Sequence, residues 1–284
     1  MNFSMYAKFA NRLKKNGIEE AASYAKALGF TSVELFEFIG RDWEPCVHDE
    51  QEAKHITEVL AANGLSVACY SIAVNLLQEG MTPDTVTPME RELMHYADMA
   101  AAVGSPFLHH TLLLGVDSGV ITMETALQSI VPVAVRVAKY AHALGVSCIY
   151  EDQGQYFNGV EGFGAFYRAV KAQCPYVGVC GDIGNTLFVD EDPARFFRAF
   201  ASEMRHIHIK DYIKCAPDDA GAAVSQGRNW IKETIPGRGC IDFPSCLAAL
   251  REVGYSGAFA LENNHEEDFA YGAAETMKLL QAQF

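Results

Sequence analysis

The 284-residue sequence lacks several patterns that would place it in common protein classes. It contains no run of about 18 apolar residues, so no segment is predicted to span a bilayer. Residues 1–15 lack the apolar centre of a secretory signal peptide, which predicts a cytoplasmic protein. No G-x-G-x-x-G loop follows the first strand-like run, and this argues against an open, dinucleotide-binding sheet.

The eight cysteines include no C-x-x-C pair, so zinc-ribbon and thioredoxin-like sites lack their spacing. Cys69, Cys148 and Cys180 lie within apolar runs, where cysteine behaves as a small hydrophobic side chain. We therefore predict reduced thiols in the core of a cytoplasmic protein.

Positive charge is also scarce, since 22 basic residues face 36 acidic ones and give a formal net charge of −14. Without a basic stripe, such a chain repels nucleic acid, and we expect no nucleic-acid or membrane partner. A divalent cation or a neutral carbohydrate suits this charge better.

What the sequence does have is a repeated alternation of short apolar runs with longer helical patterns. The continuous runs, typical of strands buried on both faces, lie at residues 3–6, 32–36, 65–71, 106–110, 146–151, 177–182, 206–210 and 258–262. Helical spacing between them often ends at glycine, as at Gly29 and Gly145. Strict alternation implies parallel strands, and eight units predict a single (β/α)8 TIM barrel over residues 1–284.

Several of the predicted strands end in side chains that bind metals. The second strand ends near Glu34, and the fourth ends at His109-His110. The last four strands carry one such residue each near their ends: Glu151, Asp182, His208 and Glu262. In a barrel these ends converge on the face that holds active sites. The alternative is that these groups form ion pairs with Lys210, with Arg238 or with one another.

Three carboxylates and one imidazole favour Mn²⁺ or Mg²⁺, although Co²⁺ or Zn²⁺ also binds such a set. His206 and His208 share a strand face because side-chain direction has period two. His208 is nearer the strand end and is the better ligand, whereas His206 is expected to lie deeper. Lys210 shares that face and is expected over the mouth, and Asp211 points away to hold a ligand or a loop.

Five segments resemble the sugar isomerase/epimerase superfamily with a xylose-isomerase-like barrel. They are Y-E-D-Q-G at 150–154, G-D-I-G-N at 181–185, H-I-H-I-K-D at 206–211, P-G-R-G-C-I-D-F at 236–243 and A-L-E-N-N at 260–264. The first half of the chain matches mainly by strand–helix rhythm. The resemblance implies a divalent metal, expected to be Mn²⁺, held by Glu151, Asp182, His208 and Glu262. It also implies that Glu151 and Glu262 act as the acid/base pair.

The expected reaction is isomerisation or epimerisation of a sugar by proton abstraction next to a carbonyl, through a metal-stabilised enediolate. Two departures from the family pattern bear on the substrate. Asn185 stands where many members have histidine, and it can hydrogen-bond a hydroxyl but cannot titrate. Phe157 stands where ketose 3-epimerases have a further glutamate, and it is expected to form an apolar wall with Tyr156.

Further substrate contacts are expected around the mouth. Trp43 follows the second strand in a loop suited to stacking on a sugar ring. His110 is favoured over His109 as the histidine that faces the barrel. Arg238 is expected to bind a substrate anion or to cap its own loop. The long segment 211–240 suggests a lid or a partner contact, and a homodimer or homotetramer is expected.

Three other functions compete with a sugar isomerase. A lyase on the same scaffold, dehydrating a keto-inositol or cleaving a 3-keto-glycoside, begins with the same enolisation and is the main alternative. A nuclease of the endonuclease IV type needs more histidines and a basic face, which are lacking here. A sugar-binding protein without activity has little need for paired glutamates on one ion.

Overall fold

In the computed structural model, the described residues are 1–39, 45–76, 83–111, 122–262 and 269–284. Their strands are β1 (Asn2–Met5), β2 (Ser32–Phe38), β3 (Ser66–Ala73), β4 (Phe107–Thr111), β5 (Ser147–Glu151), β6 (Gly178–Asp182), β7 (Met204–Ile209), β8 (Asp211–Lys214), β9 (Ala223–Val224), β10 (Trp230–Thr234) and β11 (Ala258–Leu261). Eight of them close into a barrel in the order β1-β11-β7-β6-β5-β4-β3-β2. Neighbouring barrel strands are parallel, so the predicted α/β TIM barrel is confirmed.

The helices connect these strands around the barrel. They are α1 (Ala7–Asn16), α2 (Ile18–Ala27), α3 (Glu50–Ala62), α4 (Pro83–Ala102), α5 (Met123–Ala143), α6 (Gly164–Lys171), α7 (Pro193–Phe200), α8 (Phe243–Glu252) and α9 (Phe269–Gln283). Asp192 caps α7 and Asp242 caps α8 by accepting hydrogen bonds from backbone N–H groups. Every helix in the described part of the chain is too short or too polar to cross a membrane.

Each of the eight predicted apolar runs overlaps a barrel strand, with ends that differ by two residues at most. Two features lie outside the sequence-based prediction. Helix α1 precedes α2, and Gly17 separates them with φ of 84°. The long segment after β7 folds into a three-stranded antiparallel sheet, β8-β10-β9, beside the barrel.

The loop that follows this small sheet is held by Asp211. Its Oδ2 accepts hydrogen bonds from the backbone N–H groups of Gly237 at 3.0 Å and of Gly239 at 2.7 Å. A side chain at position 239 would collide with the Asp211 carboxylate, so glycine is required there. Asp211 therefore holds a loop, which was one of its two predicted roles.

The two faces of the barrel strands have different surroundings. Outward side chains pack against the helices, as where Tyr150 meets the ring of Phe166 edge-on at 5.1 Å. Burial of each such aromatic ring stabilises the fold by about 1.5–3 kcal/mol. Inward side chains near the C-terminal strand ends are small or polar, and Ser71, Cys180 and His206 among them are fully buried. This polar interior positions the candidate site.

Candidate metal centre and active site

Four consecutive strands of the barrel order bring the predicted ligand set together. Glu151 and Asp182 are the last residues of β5 and β6, His208 lies in β7, and Glu262 directly follows β11. One potential ligand atom from each lies within 4.8 Å of the others. The parallel register explains this convergence. Asp182 on β6 pairs with His208, and so does Ala260 on β11, two residues before Glu262. We call these four residues the carboxylate–histidine cluster.

One nitrogen of His208 faces all three carboxylates of the cluster. Its Nδ1 lies 2.7 Å from Glu151 Oε1, and it lies 3.7 Å from Glu262 Oε2 and 3.9 Å from Asp182 Oδ2. Asp182 is fixed by its other oxygen, since Oδ1 accepts the backbone N–H groups of Gly184 at 2.7 Å and of Asn185 at 2.8 Å. The free oxygens and the imidazole nitrogen therefore converge on one position.

A positive charge already sits at this convergence. Lys210 Nζ forms an ion pair with Asp182 Oδ2 at 2.8 Å and donates to Glu262 Oε2 at 2.9 Å, and Lys210 is 5% exposed. Burial alone would lower the pKa of Lys210, but the charges of Asp182 and Glu262 outweigh it and hold the pKa well above its usual value. Burial raises the pKa of Asp182, and the negative charges of Glu262 and Glu151 add to that rise while Lys210 opposes it. Buried carboxylates at this density need a cation.

The donor set fits a divalent metal ion. Carboxylate oxygens and one imidazole nitrogen are ligands of Mn²⁺, Mg²⁺ and Zn²⁺, and a Lys210 ammonium contacting two of the carboxylates marks the place as cation-binding. Glu151, Asp182, His208 and Glu262 are the residues that would hold the ion.

Glu34 lies directly beneath the cluster and is fully buried. Its carboxylate accepts hydrogen bonds from His208 Nε2 at 3.0 Å and from His206 Nε2 at 2.6 Å. Burial would raise the pKa of Glu34, but His208 and His206 outweigh it and hold the pKa well below its usual value. His206 therefore occupies the deeper position that was expected of it.

The prediction that His110 faces the barrel was wrong, and His109 occupies that position. His109 Nε2 lies 3.6 Å from Glu151 Oε2. The His110 ring instead meets the Tyr150 ring edge-on at 5.0 Å, on the helix side, and neither of its nitrogens has a partner among the described residues. The signal that settles the direction is register: His109 pairs with Ser71 and with Ile149, two residues before Glu151, and residues paired in this way share a face.

The other predicted substrate contacts fall in different places. Asn185 lies beside Asp182, is 3% exposed, and has a side-chain Nδ2 without a partner among the described residues. Phe157 is 4% exposed and stacks on Phe166 at 4.5 Å, so it belongs to the core against α6 and does not form an open wall. Trp43 lies outside the described residues.

Arg238 is turned toward the last helix rather than toward the cluster. Its guanidinium lies 4.9 Å from the centroid of the Tyr271 ring, and its Nη2 lies 3.7 Å from Glu275 Oε2. Of its two predicted roles, binding a substrate anion is not supported by this placement, because the charge is already paired with α9.

Sequence reasoning missed one aromatic residue at the site. The Tyr6 ring stacks on the His208 ring, with centroids 4.6 Å apart and an interplanar angle of 20°. Tyr6 follows the first strand, so its position at a C-terminal strand end was a usable signal. The ring covers His208 on the β1 side and limits its movement.

Comparisons with known proteins show the family and the fold. Residues 22–283 match the family model described as xylose isomerase-like TIM barrel. An inosose dehydratase from Lacticaseibacillus casei is 31% identical over 93 residues, which is 30% of this chain and 30% of that protein. The chain thus matches less than a third of that relative's length.

Solved structures show the same fold over nearly the whole chain. A D-allulose 3-epimerase from Methylomonas sp. in complex with D-allulose has a TM-score of 0.76 at 16% identity, covering 100% of this chain and 97% of the other. A xylose isomerase-like TIM barrel protein from Mycobacterium smegmatis in complex with magnesium has a TM-score of 0.74 at 15% identity, covering 99% and 96%. With the family model spanning most of its length, the chain belongs to the xylose isomerase-like TIM barrel family.

Proposed function

We propose that the protein is a divalent-metal-dependent sugar isomerase or epimerase that removes a proton next to a carbonyl. The observation that carries the proposal is the convergence of two glutamates, Glu151 and Glu262, with Asp182 and His208 at one position. A non-enzymatic binder has little use for two such bases around one cation.

The two glutamates differ in how freely they can act. The Glu151 side chain is 3% exposed, and its two oxygens face His208 Nδ1 at 2.7 Å and His109 Nε2 at 3.6 Å. The Glu262 side chain is 24% exposed, and its Oε2 accepts from Lys210. Glu262 is therefore the more accessible base, and Glu151 is the more firmly positioned one. Proton transfer on the two faces of a sugar needs a group on each side.

Two neighbours can bind and orient the substrate. Lys210 contacts Glu262 and offers an N–H donor to an oxygen that gains negative charge. Asn185 Nδ2, buried and without a partner among the described residues, can donate to a sugar hydroxyl.

The metal belongs to the proposal. Mn²⁺ is the ion we favour, with Mg²⁺, Co²⁺ and Zn²⁺ also suited to the donors, and a structural neighbour is in complex with magnesium. When bound, such a cation polarises the substrate carbonyl and stabilises the negative charge of the enediolate.

A lyase is the second candidate, and the inosose dehydratase match favours it. Dehydration of a keto-inositol starts with the same proton abstraction and ends with loss of a leaving group. Asn185 cannot act as an acid, so protonation of a leaving hydroxyl would fall to Lys210 or Glu262.

The two candidates are separated by ¹H-NMR in D₂O with the metal-loaded protein and a panel of free ketoses, keto-inositols and 3-keto-glycosides. Deuterium in a recovered sugar supports the isomerase, and stoichiometric loss of water or of an aglycone supports the lyase. Both candidates are contradicted if elemental analysis finds no divalent ion in the purified protein and if Mn²⁺, Mg²⁺ and Co²⁺ all fail to stimulate activity.

A further inference from the structure

Five buried side chains form a closed circuit of contacts in the barrel, here called the lower ring: Glu34, Ser71, His109, Glu151 and His208. Ser71 Oγ donates to Glu34 and lies 3.0 Å from His109 Nδ1. His109 Nε2 lies 3.6 Å from Glu151 Oε2, whose partner oxygen lies 2.7 Å from His208 Nδ1. His208 Nε2 closes the circuit at 3.0 Å from Glu34 Oε1. Each of the five is at most 8% exposed.

The ring joins residues from the two halves of the barrel. Strands β2, β3 and β4 supply Glu34, Ser71 and His109, and β5 and β7 supply the two cluster residues. The first three lie outside the carboxylate–histidine cluster, so they hold the ligand set from below.

Glu34 is the centre of this support. It accepts from His206 Nε2 at 2.6 Å, from His208 Nε2 at 3.0 Å and 3.3 Å, and from Ser71 Oγ. A carboxylate can accept from all three groups because it has two oxygens and no hydrogen to donate. His208 Nε2 therefore donates to Glu34, and Nδ1, which faces the three carboxylates, is the nitrogen left to bind a metal ion.

We propose that Glu34 is a positioning residue that sets the divalent-metal affinity of the cluster by fixing the tautomer and ring orientation of His208. The inference rests on the metal centre of the proposed function. A hydrogen bond from the far nitrogen of a metal-binding imidazole to a carboxylate orients the ring and raises its basicity, and loss of such a partner costs about 10–100-fold in metal affinity.

The residue type at position 34 matters because glutamine cannot replace the carboxylate. Its amide has one oxygen to accept and two N–H groups to donate, so one of the two histidine Nε2–H groups would face another donor. Aspartate keeps both acceptors but is one methylene shorter, and it cannot reach both histidines equally well.

The test is the Mn²⁺ dissociation constant of the protein after a chelator has removed its metal. It is measured by EPR of free Mn²⁺. Glu34→Gln is expected to raise it about 10–100-fold, and Glu34→Asp about tenfold. The melting temperature without metal is recorded for each variant. An unchanged dissociation constant in either variant that folds would overturn the inference.

Glu37→Gln is the matched control. Glu37 lies on the same strand and is also fully buried, but its Oε1 accepts from the Tyr70 hydroxyl at 3.0 Å and from the Cys46 backbone at 2.6 Å, away from the cluster. We expect a lower melting temperature with an unchanged Mn²⁺ dissociation constant. Equal weakening by Glu37→Gln would reduce the role of Glu34 to general stability. Wild-type protein that binds no divalent ion at all would instead refute the proposed function.

Discussion

The two halves of the barrel contribute different things to the same site. Strands β5, β6, β7 and β11 place Glu151, Asp182, His208 and Glu262 around one position. Strands β2 to β4 place Glu34, Ser71 and His109 behind them. Glu34 contacts His208, His109 lies 3.6 Å from Glu151, and Ser71 links Glu34 to His109. In the proposed function the second half provides the reacting and ligating groups, and the first half provides the groups that hold them.

Exposure follows the same division. The Glu262 side chain is 24% exposed, whereas Glu34 and Ser71 are fully buried. A substitution in the second half should therefore alter the chemistry, and one in the first half should alter how firmly the ligands are held. The Glu34 variants test the first half, and the predictions below test the rest of this division.

The largest effect is expected at Glu262. Glu262→Gln removes the accessible base but keeps one oxygen as a ligand, so kcat should fall by about 10²–10⁴-fold while part of the metal binding remains. Steady-state kinetics at saturating Mn²⁺ measure kcat, and metal analysis of the same sample measures the bound metal. Glu275→Gln, which changes a glutamate on α9 paired with Lys278 and Arg238, is the control and should keep full activity. Equal kcat values for the two variants would remove Glu262 from the reaction.

An intermediate effect is expected at Lys210. Lys210→Met removes the ammonium that contacts Asp182 and Glu262, so the metal-free protein should melt at a lower temperature. Mn²⁺ should bind at least about tenfold more tightly, since like charges a few ångströms apart repel by about 1–4 kcal/mol. Calorimetric titration measures the affinity. Lys232→Met, which breaks the ion pair between Lys232 on β10 and Asp219, should leave the Mn²⁺ affinity unchanged. Weaker Mn²⁺ binding to Lys210→Met would show that Lys210 supports the metal rather than competing with it.

The smallest effect is expected at His110, which lies in the first half but faces the helices. Burial, with the nearby His109, lowers the pKa of His110 from 6.5 to about 3. Between these two values the unfolded chain binds a proton that the folded chain does not, so acidification costs up to about 1.4 kcal/mol of stability per pH unit. His110→Leu should remove this cost and make the free energy of unfolding less dependent on pH.

Urea unfolding of the wild type and of His110→Leu at about pH 7, 6 and 5 measures the difference. Above the ordinary pKa of 6.5 the imidazole is neutral in both states, so the slopes should agree there. The Mn²⁺ dissociation constant should not change. Parallel slopes at low pH, or a weaker metal site, would place His110 in a different environment from the one described.

The fold was predictable because its signal is local. Strands buried on both faces need continuous apolar runs, and helices that stop between them end at glycines such as Gly29 and Gly145, which have φ of 84° and 82°. The small sheet β8-β10-β9 was not predicted because it depends on distant partners. Asp190, for example, anchors it by accepting from Ser225 Oγ at 2.6 Å and from Asn229 Nδ2 at 2.7 Å.

The four candidate ligands were predictable for a related reason. A charged residue at the end of an apolar strand, such as Asp182 after 177–181, stands out in the sequence. The sequence did not show which of the adjacent residues His109 and His110 faces the barrel interior, because the local pattern fits either choice. Phe157 was misplaced in the same way, since its stacking on Phe166 depends on how α6 packs.

The sequence by itself determined the number and order of the barrel strands and the four side chains that meet at their ends, since burial and strand periodicity act over a few neighbouring residues. Only the tertiary structure decided that His109 faces inward, that Arg238 binds α9, and that Glu34 underlies His208. Those contacts join residues up to 174 positions apart, and the register between strands that brings them together is fixed by the closed barrel as a whole.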